Sequence, residues 1–195
     1  MTNVLILGAN GSIARFAIDL FLKETDAQLT LYLRNSGRLK NVNSSRVRII
    51  EGDVLDIEKL KEAMVGQDVV YANLAGQLEQ MAKNVVEAMN ASDVNRLIWI
   101  SSMGIYGEVP GERYSSILNP YRNSAAIVEG SDLDYTILRP GWFTNNDEID
   151  YEITQKGEPF KGHDVSRKSV AYLVVKLAIT PGMEIRRSLG VSKPE

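Results

Sequence analysis

Short runs of apolar, β-branched-rich residues recur along the chain, separated by stretches whose apolar positions repeat every three or four residues. Val4–Leu7, Leu29–Leu33, Val47–Ile50, Val69–Tyr71, Leu97–Ile100 and Tyr135–Leu138 each have the length and continuity of a strand buried on both faces. Between the first two, Ile13, Phe16, Ala17, Leu20 and Phe21 fall at i, i+3, i+4, i+7 and i+8, the apolar stripe of a helix packed on a sheet. Met81, Val85, Ala88 and Met89 repeat that spacing, as do Val170, Leu173, Val174, Leu177 and Ala178. Strands alternating with such helices predict an α/β fold. Its centre is a doubly wound parallel sheet in three α/β/α layers, a single domain over residues 1–195. Two irregular stretches, Ser102–Pro120 and Gly141–Ser166, follow strands and belong at the carboxyl edge of the sheet, where open α/β proteins bind ligands. Residues from about 141 to 195 are too few for a second domain, so the substrate side is expected to be small and shallow.

The first strand runs into Gly8-Ala9-Asn10-Gly11-Ser12-Ile13-Ala14 and straight on into the first helix. Gly8 permits the tight turn, Gly11 lets backbone come close to an anion, and Ala14 lets the helix lie close to the strand. A helix N-terminus in this position offers free N–H groups and a positive dipole end to a pyrophosphate. A glycine turn between a strand and an amphipathic helix is the context of a dinucleotide site on a Rossmann-like fold. The residues it places on the cofactor are Gly8, Asn10, Gly11, Ser12 and Ile13. In such folds an acid after the second strand meets the ribose 2′-OH of NAD, whereas an Arg there accommodates the 2′-phosphate of NADP. Here the second strand is followed by Arg34, with Arg38 shortly after. NADP(H) is therefore favoured over NAD(H), which the same turn also accommodates.

The spacing of the turn is G-x-x-G-x-x-A, and LILGANGSIAR resembles the cofactor turn of atypical short-chain dehydrogenases/reductases in their NmrA-like, NAD(P)H-binding branch. The resemblance continues through Glu51-Gly52-Asp53-Val54, Gly66-Gln67-Asp68, Ser101-Ser102-Met103-Gly104 and Leu133-Asp134-Tyr135-Thr136-Ile137-Leu138-Arg139-Pro140-Gly141. It implies that Asp53 and Val54 hold the adenine, and that Asn73-Leu74-Ala75-Gly76 lines the adenine ribose and pyrophosphate. Pro140 and Trp142 are implied beside the nicotinamide. From the residues alone Asp53 reads equally as a helix cap leading into Asp56–Met64.

Members of the wider family carry a Ser after the fifth strand and a Tyr-x-x-x-Lys on the next helix. The Lys stabilises the tyrosinate, lowering a pKa otherwise near ~10, so that the Tyr can exchange a proton with substrate. Ser102 matches the serine and Tyr121 is the candidate tyrosine, but Ala125 stands where the Lys should be. Tyr106 and Tyr114 are followed at that spacing by Pro110 and Leu118, and Tyr172-x-x-x-Lys176 lies far past the expected position and reads as a chance match. The proton-transfer pair is incomplete. Reduction of a flavin or quinone makes a weaker demand, since solvent can protonate the reduced ring, and flavin and biliverdin reductases of similar length share the GDVL and GQD stretches. Trp142 and Phe143 would then wall a planar acceptor, or else simply cover the core.

Composition narrows the field. The net charge is −3 with Lys and Arg scattered, which argues against a nucleic-acid partner. With no cysteine and one histidine, His163, disulfides, a Cys nucleophile and a His-rich metal site are excluded, and no metal is expected. The apolar run Val4–Leu7 lacks a basic leader and no stretch approaches the ~20 residues of a membrane span, so a cytoplasmic protein is expected. Asn145-Asn146-Asp147-Glu148 reads as a polar turn, His163 as a solvated loop residue and Ser166 as the cap of the last helix. The leading reading is an NADP(H)-dependent reductase of a small-molecule acceptor. A non-catalytic NAD(P) sensor of NmrA type, acting through a protein partner, is the alternative. An epimerase or dehydratase, which also needs the Tyr–Lys pair, comes third.

Overall fold

The computed structural model describes residues 1–40 and 42–195. Its centre is an eight-stranded sheet. In chain order the strands are β1 (Asn3–Leu7), β2 (Gln28–Leu33), β3 (Val47–Glu51), β4 (Val69–Ala72), β5 (Arg96–Ile100), β6 (Asp134–Pro140), β8 (Glu152–Gln155) and β10 (Arg187–Ser192). Their spatial order is β3-β2-β1-β4-β5-β6-β10-β8, and every pairing is parallel except that of β8 with β10. A separate parallel pair joins β7 (Trp142–Thr144) to β9 (Asp164–Ser166). Helices α1 (Ser12–Glu24) and α5 (Arg167–Ile179) share one core with one face of the sheet. The opposite face is covered by α2 (Ile57–Met64), α3 (Leu78–Ala91) and α4 (Asn119–Glu129). This is the doubly wound Rossmann-like fold.

All six runs read from the sequence are strands; five are buried on both faces, with Val4, Leu5, Ile6 and Leu7 wholly buried, whereas β3 is an edge strand and leaves Arg48 and Ile49 exposed. The stripe of α1 differs from the expected one. Its buried residues are Ile13, Ala14, Ala17, Ile18 and Phe21, whereas Phe16 is 39% exposed and Leu20 half-buried. The helix is rolled so that Ala14 and Ile18 face the sheet, the small alanines letting it lie close. The stretch Gly141–Ser166, expected to be irregular, contains β7, β8 and β9, and β10 extends the sheet beyond β6. Asp56 caps α2 by accepting from Lys59 N at 3.2 Å, and Ser166 caps α5 by accepting from Ser169 N at 2.9 Å. None of the helices in the described residues is long and apolar enough to cross a membrane.

The strand order reverses between β1 and β4. Their carboxyl ends therefore diverge, and the crevice between them opens at Gly8 and Asn73.

Candidate functional site

A groove of about 580 Å³ occupies that crevice, at the carboxyl ends of β1 to β4. Gly8 has φ +74°, the left-handed region that favours glycine, and its N–H donates to the Tyr32 carbonyl at 3.0 Å. Gly11 has an ordinary backbone (φ −62°, ψ 154°), so its lack of a side chain has another reason. A Cβ at Gly8 would run into the Asn73 carbonyl, and one at Gly11 into the Asn73 side-chain amide. The two glycines let the β4 loop close down on the turn. Gly11 is the N-cap of α1, with no side chain capping it and no acid in the first turn. The leading N–H groups of α1 are thus left for an anion, which is the fit a dinucleotide pyrophosphate requires.

The residues assigned to the cofactor divide by position. Gly8, Asn10, Gly11, Arg34, Arg38, Asp53, Val54, Asn73 and Ala75 all line the groove. Ser12 and Ile13 do not: the Ser12 hydroxyl lies on another flank of α1, and the Ile13 side chain is buried in the core. Only their backbone N–H groups are candidates for contact. Asp53 does not cap α2, since Asp56 does. Its carboxylate instead accepts from Leu55 N at 3.0 Å, turning the chain after β3, while its carbonyl accepts from the Tyr32 hydroxyl at 2.9 Å. Burial, reinforced by Asp56 and Asp53, pushes the Tyr32 hydroxyl up to about 12, so it stays a donor at neutral pH.

Arg34 and Arg38 stand at the outer end of the groove, Arg38 in a short 3₁₀ turn over Ser36–Arg38. Glu51, at the end of β3, accepts from Ser36 N at 2.8 Å and from its Oγ at 2.5 Å. The Ser36 hydroxyl, with its backbone N–H, holds the Glu51 carboxyl below its ordinary value. The carboxylate thus anchors the arginine segment at neutral pH, and this contribution is lost as pH falls through that lowered value.

A second cavity, of about 500 Å³, lies over the ends of β5 and β6. Ser101, Ser102, Pro140 and Gly141 begin it, and Met103, Leu118, Tyr114, Tyr121, Trp142 and Phe143 contribute walls. It is comparable in size to the groove, not the shallow pocket expected. The reason is that the loop between β5 and α4 contributes most of the lining, in addition to the residues that follow β6. Pro140 and Trp142 belong to this cavity together with Ser102 and Tyr121. Trp142 is 62% exposed and Phe143 39%, so neither is a core cover. Gly141 permits their placement: a Cβ there would strike the His163 carbonyl, which accepts from Trp142 N at 3.0 Å.

Tyr121 lines the cavity, and Ala125, one turn on, is wholly buried in the core beneath α4. The family's lysine position is therefore filled by packing. Ser102 Oγ donates to the Met103 carbonyl at 3.0 Å, while Ser101 Oγ is buried with no hydrogen-bond partner. The Tyr114 hydroxyl lies 2.7 Å from Asn119 Oδ1. Tyr172 and Lys176 lie in α5, on the sheet face opposite α4, and have no place at this cavity.

Tyr106 is withdrawn from the cavity into a network that sequence reasoning missed. Arg139, wholly buried in β6, pairs with Glu108 at 2.6 Å. It also donates to Ser188 Oγ at 3.0 Å and to the carbonyls of Ser188 and Thr154. Glu108 accepts in turn from Gly104 N and Tyr106 N, both at 3.0 Å, which fixes the loop that roofs the cavity. The Tyr106 ring lies under the Arg139 guanidinium and its hydroxyl engages Glu129 and Ser188; burial, then Glu129, raises its pKa. Removing one partner of a buried pair leaves the other charge uncompensated. Glu108→Ala is expected to cost about 3 kcal/mol of stability in denaturant unfolding; a loss below about 1 kcal/mol would mean water replaces the carboxylate.

Three comparisons bear on this geometry. A Rossmann-fold NAD(P)-binding family protein from Shigella flexneri is 45% identical and superposes with a TM-score of 0.91, the alignment covering 100% of this chain and 94% of that one. A short-chain dehydrogenase/reductase from Veillonella parvula, in complex with NADP, is 30% identical with a TM-score of 0.90, covering 99% and 95%. Quinone oxidoreductase 2 of Escherichia coli K12 is 22% identical over 147 residues, 73% of this chain, and the match spans 50% of that curated relative's length. The family model described as NAD(P)H-binding matches residues 8–181, from the first glycine of the turn to the end of α5 and just beyond. The glycine turn, the uncapped helix and this match agree: the chain belongs to the NAD(P)H-binding family of Rossmann-fold oxidoreductases.

Proposed function

We propose that the protein is an NADPH-dependent reductase of a small planar acceptor of the flavin or quinone class. The observation that carries this reading is the cavity beside the cofactor groove, walled by Trp142, Phe143, Tyr114 and Tyr121 and lined by no lysine. Flat aromatic walls suit a flat conjugated ring. Ala125 stands one turn after Tyr121, so the tyrosine–lysine pair used in alcohol–ketone chemistry is missing. An acceptor whose reduced form takes its proton from water has no such requirement.

Gly8, Gly11 and Asn73 form the cradle for the pyrophosphate, with the backbone of Ser12 and Ile13 donating to it. Arg34 and Arg38 take the 2′-phosphate, which makes NADPH the preferred form; a relative of 30% identity with NADP bound accords with this. Asp53 and Val54 flank the adenine, and Ala75 the adenine ribose. NADPH held there supplies a hydride. Pro140 and Trp142 bound the space where the acceptor meets it, and Ser102 and Tyr121 offer hydroxyls to orient an acceptor carbonyl.

The decisive assay titrates the purified protein with NADPH and NADH, then follows NADPH oxidation with FMN, riboflavin and simple quinones. Tight NADPH binding with turnover on one of these acceptors is expected. Tight binding without turnover would favour the non-catalytic sensor of NmrA type, the second reading that the buried Ala125 supports. The epimerase reading needs a tyrosine–lysine pair that the cavity lining lacks.

A further inference from the structure

The cavity over β5 and β6 changes character from floor to mouth. Hydroxyls stand at its floor: Ser102 and Tyr121 are half-buried, and Ser101, 5% exposed, has an Oγ without a hydrogen-bond partner. Large apolar side chains stand at its mouth. Ile117 is 77% exposed, and Trp142, Phe143 and Tyr114 are exposed as well.

Local structure fixes that mouth. Ser116–Leu118 is a 3₁₀ turn closed by Leu118 N, which donates to the Ser115 carbonyl at 3.0 Å. Successive residues of such a turn point a third of a turn apart, so with Leu118 packed against the core beneath α4, Ile117 is turned outward. Trp142 is held by β7, which pairs with β9 and alternates its side chains. Phe143 and Tyr114 have partners: the Arg167 guanidinium lies 4.9 Å from the Phe143 ring centre, and that of Arg122 lies 5.2 Å from the Tyr114 ring centre. Among the described residues neither a cation nor a second ring covers Trp142, and Ile117 is left to solvent.

Charge narrows the choice of occupant. Glu112 and Arg113 are the charged residues of the lining, adjacent in sequence and opposite in sign, so the mouth carries no excess of positive charge. A phosphorylated flavin entering ring first leaves its phosphate between a carboxylate and one cation, among apolar side chains that offer it no donor. A ring whose carbonyls reach the hydroxyls and whose substituent is hydrocarbon matches both ends of the cavity. Its substituent also takes the exposed surface of Ile117 and Trp142 out of water.

We infer that the acceptor is a neutral quinone-type ring bearing an apolar substituent, and that Ile117 and Trp142 form the subsite for that substituent. The inference rests on the reductase reading given above and narrows it. Reduction adds one hydride from NADPH and one proton from water to the quinone, giving the hydroquinone and NADP⁺. Ile117 meets the substituent and not the ring, so it sets which acceptor is preferred.

The test follows NADPH oxidation with para-benzoquinones carrying a methyl, butyl or hexyl group, in the wild type, Ile117→Ser and Ile117→Leu. From methyl to hexyl, kcat/KM is expected to rise by about tenfold or more in the wild type and by about twofold or less in Ile117→Ser. Ile117→Leu should keep most of the rise, because it keeps the apolar surface. An undiminished rise in Ile117→Ser would overturn the subsite, and so would equal kcat/KM along the wild-type series. A preference for FMN over both riboflavin and the alkylquinones would give the mouth to a phosphate on Arg113 and overturn it too. Sedimentation of both proteins is measured alongside: a wild-type dimer that Ile117→Ser dissociates would assign this face to a second copy of the chain instead. Wild-type protein that binds NADPH but reduces no quinone of any chain length overturns the reductase reading itself, and this inference with it.

Discussion

Gly11→Val is expected to abolish binding of NADPH and NADH together, by about 100-fold or more, while the protein stays folded. The argument begins with the backbone. At φ −62° and ψ 154° position 11 is extended, so a branched side chain meets no torsional penalty there. The neighbour such a side chain strikes first is the far end of Asn73, a side chain that can swing aside; the Gly8 carbonyl, 3.2 Å from an added Cβ, is the tighter constraint. The displaced amide and the added methyl groups then occupy the approach to the uncapped N–H groups of α1. Several charge-assisted hydrogen bonds are lost at once, each worth about 1.5–3 kcal/mol. Titration by fluorescence alongside a thermal melt separates the outcomes, and a folded variant with undiminished affinity would remove the turn from the cofactor site. Gly8 is a different case. Its φ of +74° and its proximity to the Asn73 backbone carbonyl leave a substituent nowhere to go, so substitution there strains the fold itself.

The second large effect belongs to Arg34→Ala, expected to weaken NADPH by about 10- to 100-fold and NADH by less than about twofold. Arg34 and Arg38 are the arginines that line the groove, and the Glu51 carboxylate, which is outside that lining, is turned onto Ser36. That contact also holds the segment bearing both arginines in place. Because the site is exposed, added salt should erode the preference for NADPH while leaving the difference between wild type and Gly11→Val largely intact. Equal losses for the two cofactors would detach Arg34 from the 2′-phosphate and leave Arg38 to be tested in its place.

Much of this was legible along the chain because it depends on near neighbours. Six strands follow from continuous apolar runs, and α3 and α5 from their apolar spacing. Gly8 and Gly11 declare themselves between a strand and a helix. The roll of α1 was not legible to the same degree, because Phe16 and Ile18 are equally apolar and only the sheet decides which of them is covered. Asp53 and Asp56 both precede α2, and the sequence could not say which would cap it; the turn at Asp53 places Asp56 at the N-cap. Ser12, read as a cofactor contact, opens α1, and the sequence carries no sign that its hydroxyl would face α5.

The chain by itself determined the alternation of strands and helices, the glycine turn and the absence of a lysine after Tyr121, since each is a matter of residue type at short spacing. Tertiary structure decided β7 to β10, the size of the cavity over β5 and β6, and the contacts of Arg139 and Arg167. The physical reason is that short strands such as Trp142–Thr144 and Asp164–Ser166 have too little periodicity of their own and exist through their pairing. Charged side chains likewise take their meaning from partners far along the chain. Arg139 meets Glu108 across 31 residues and Ser188 across 49, and Arg167 meets Ser12 across 155. A contact made over such a separation leaves no local signature, because only the closed sheet brings its two ends together.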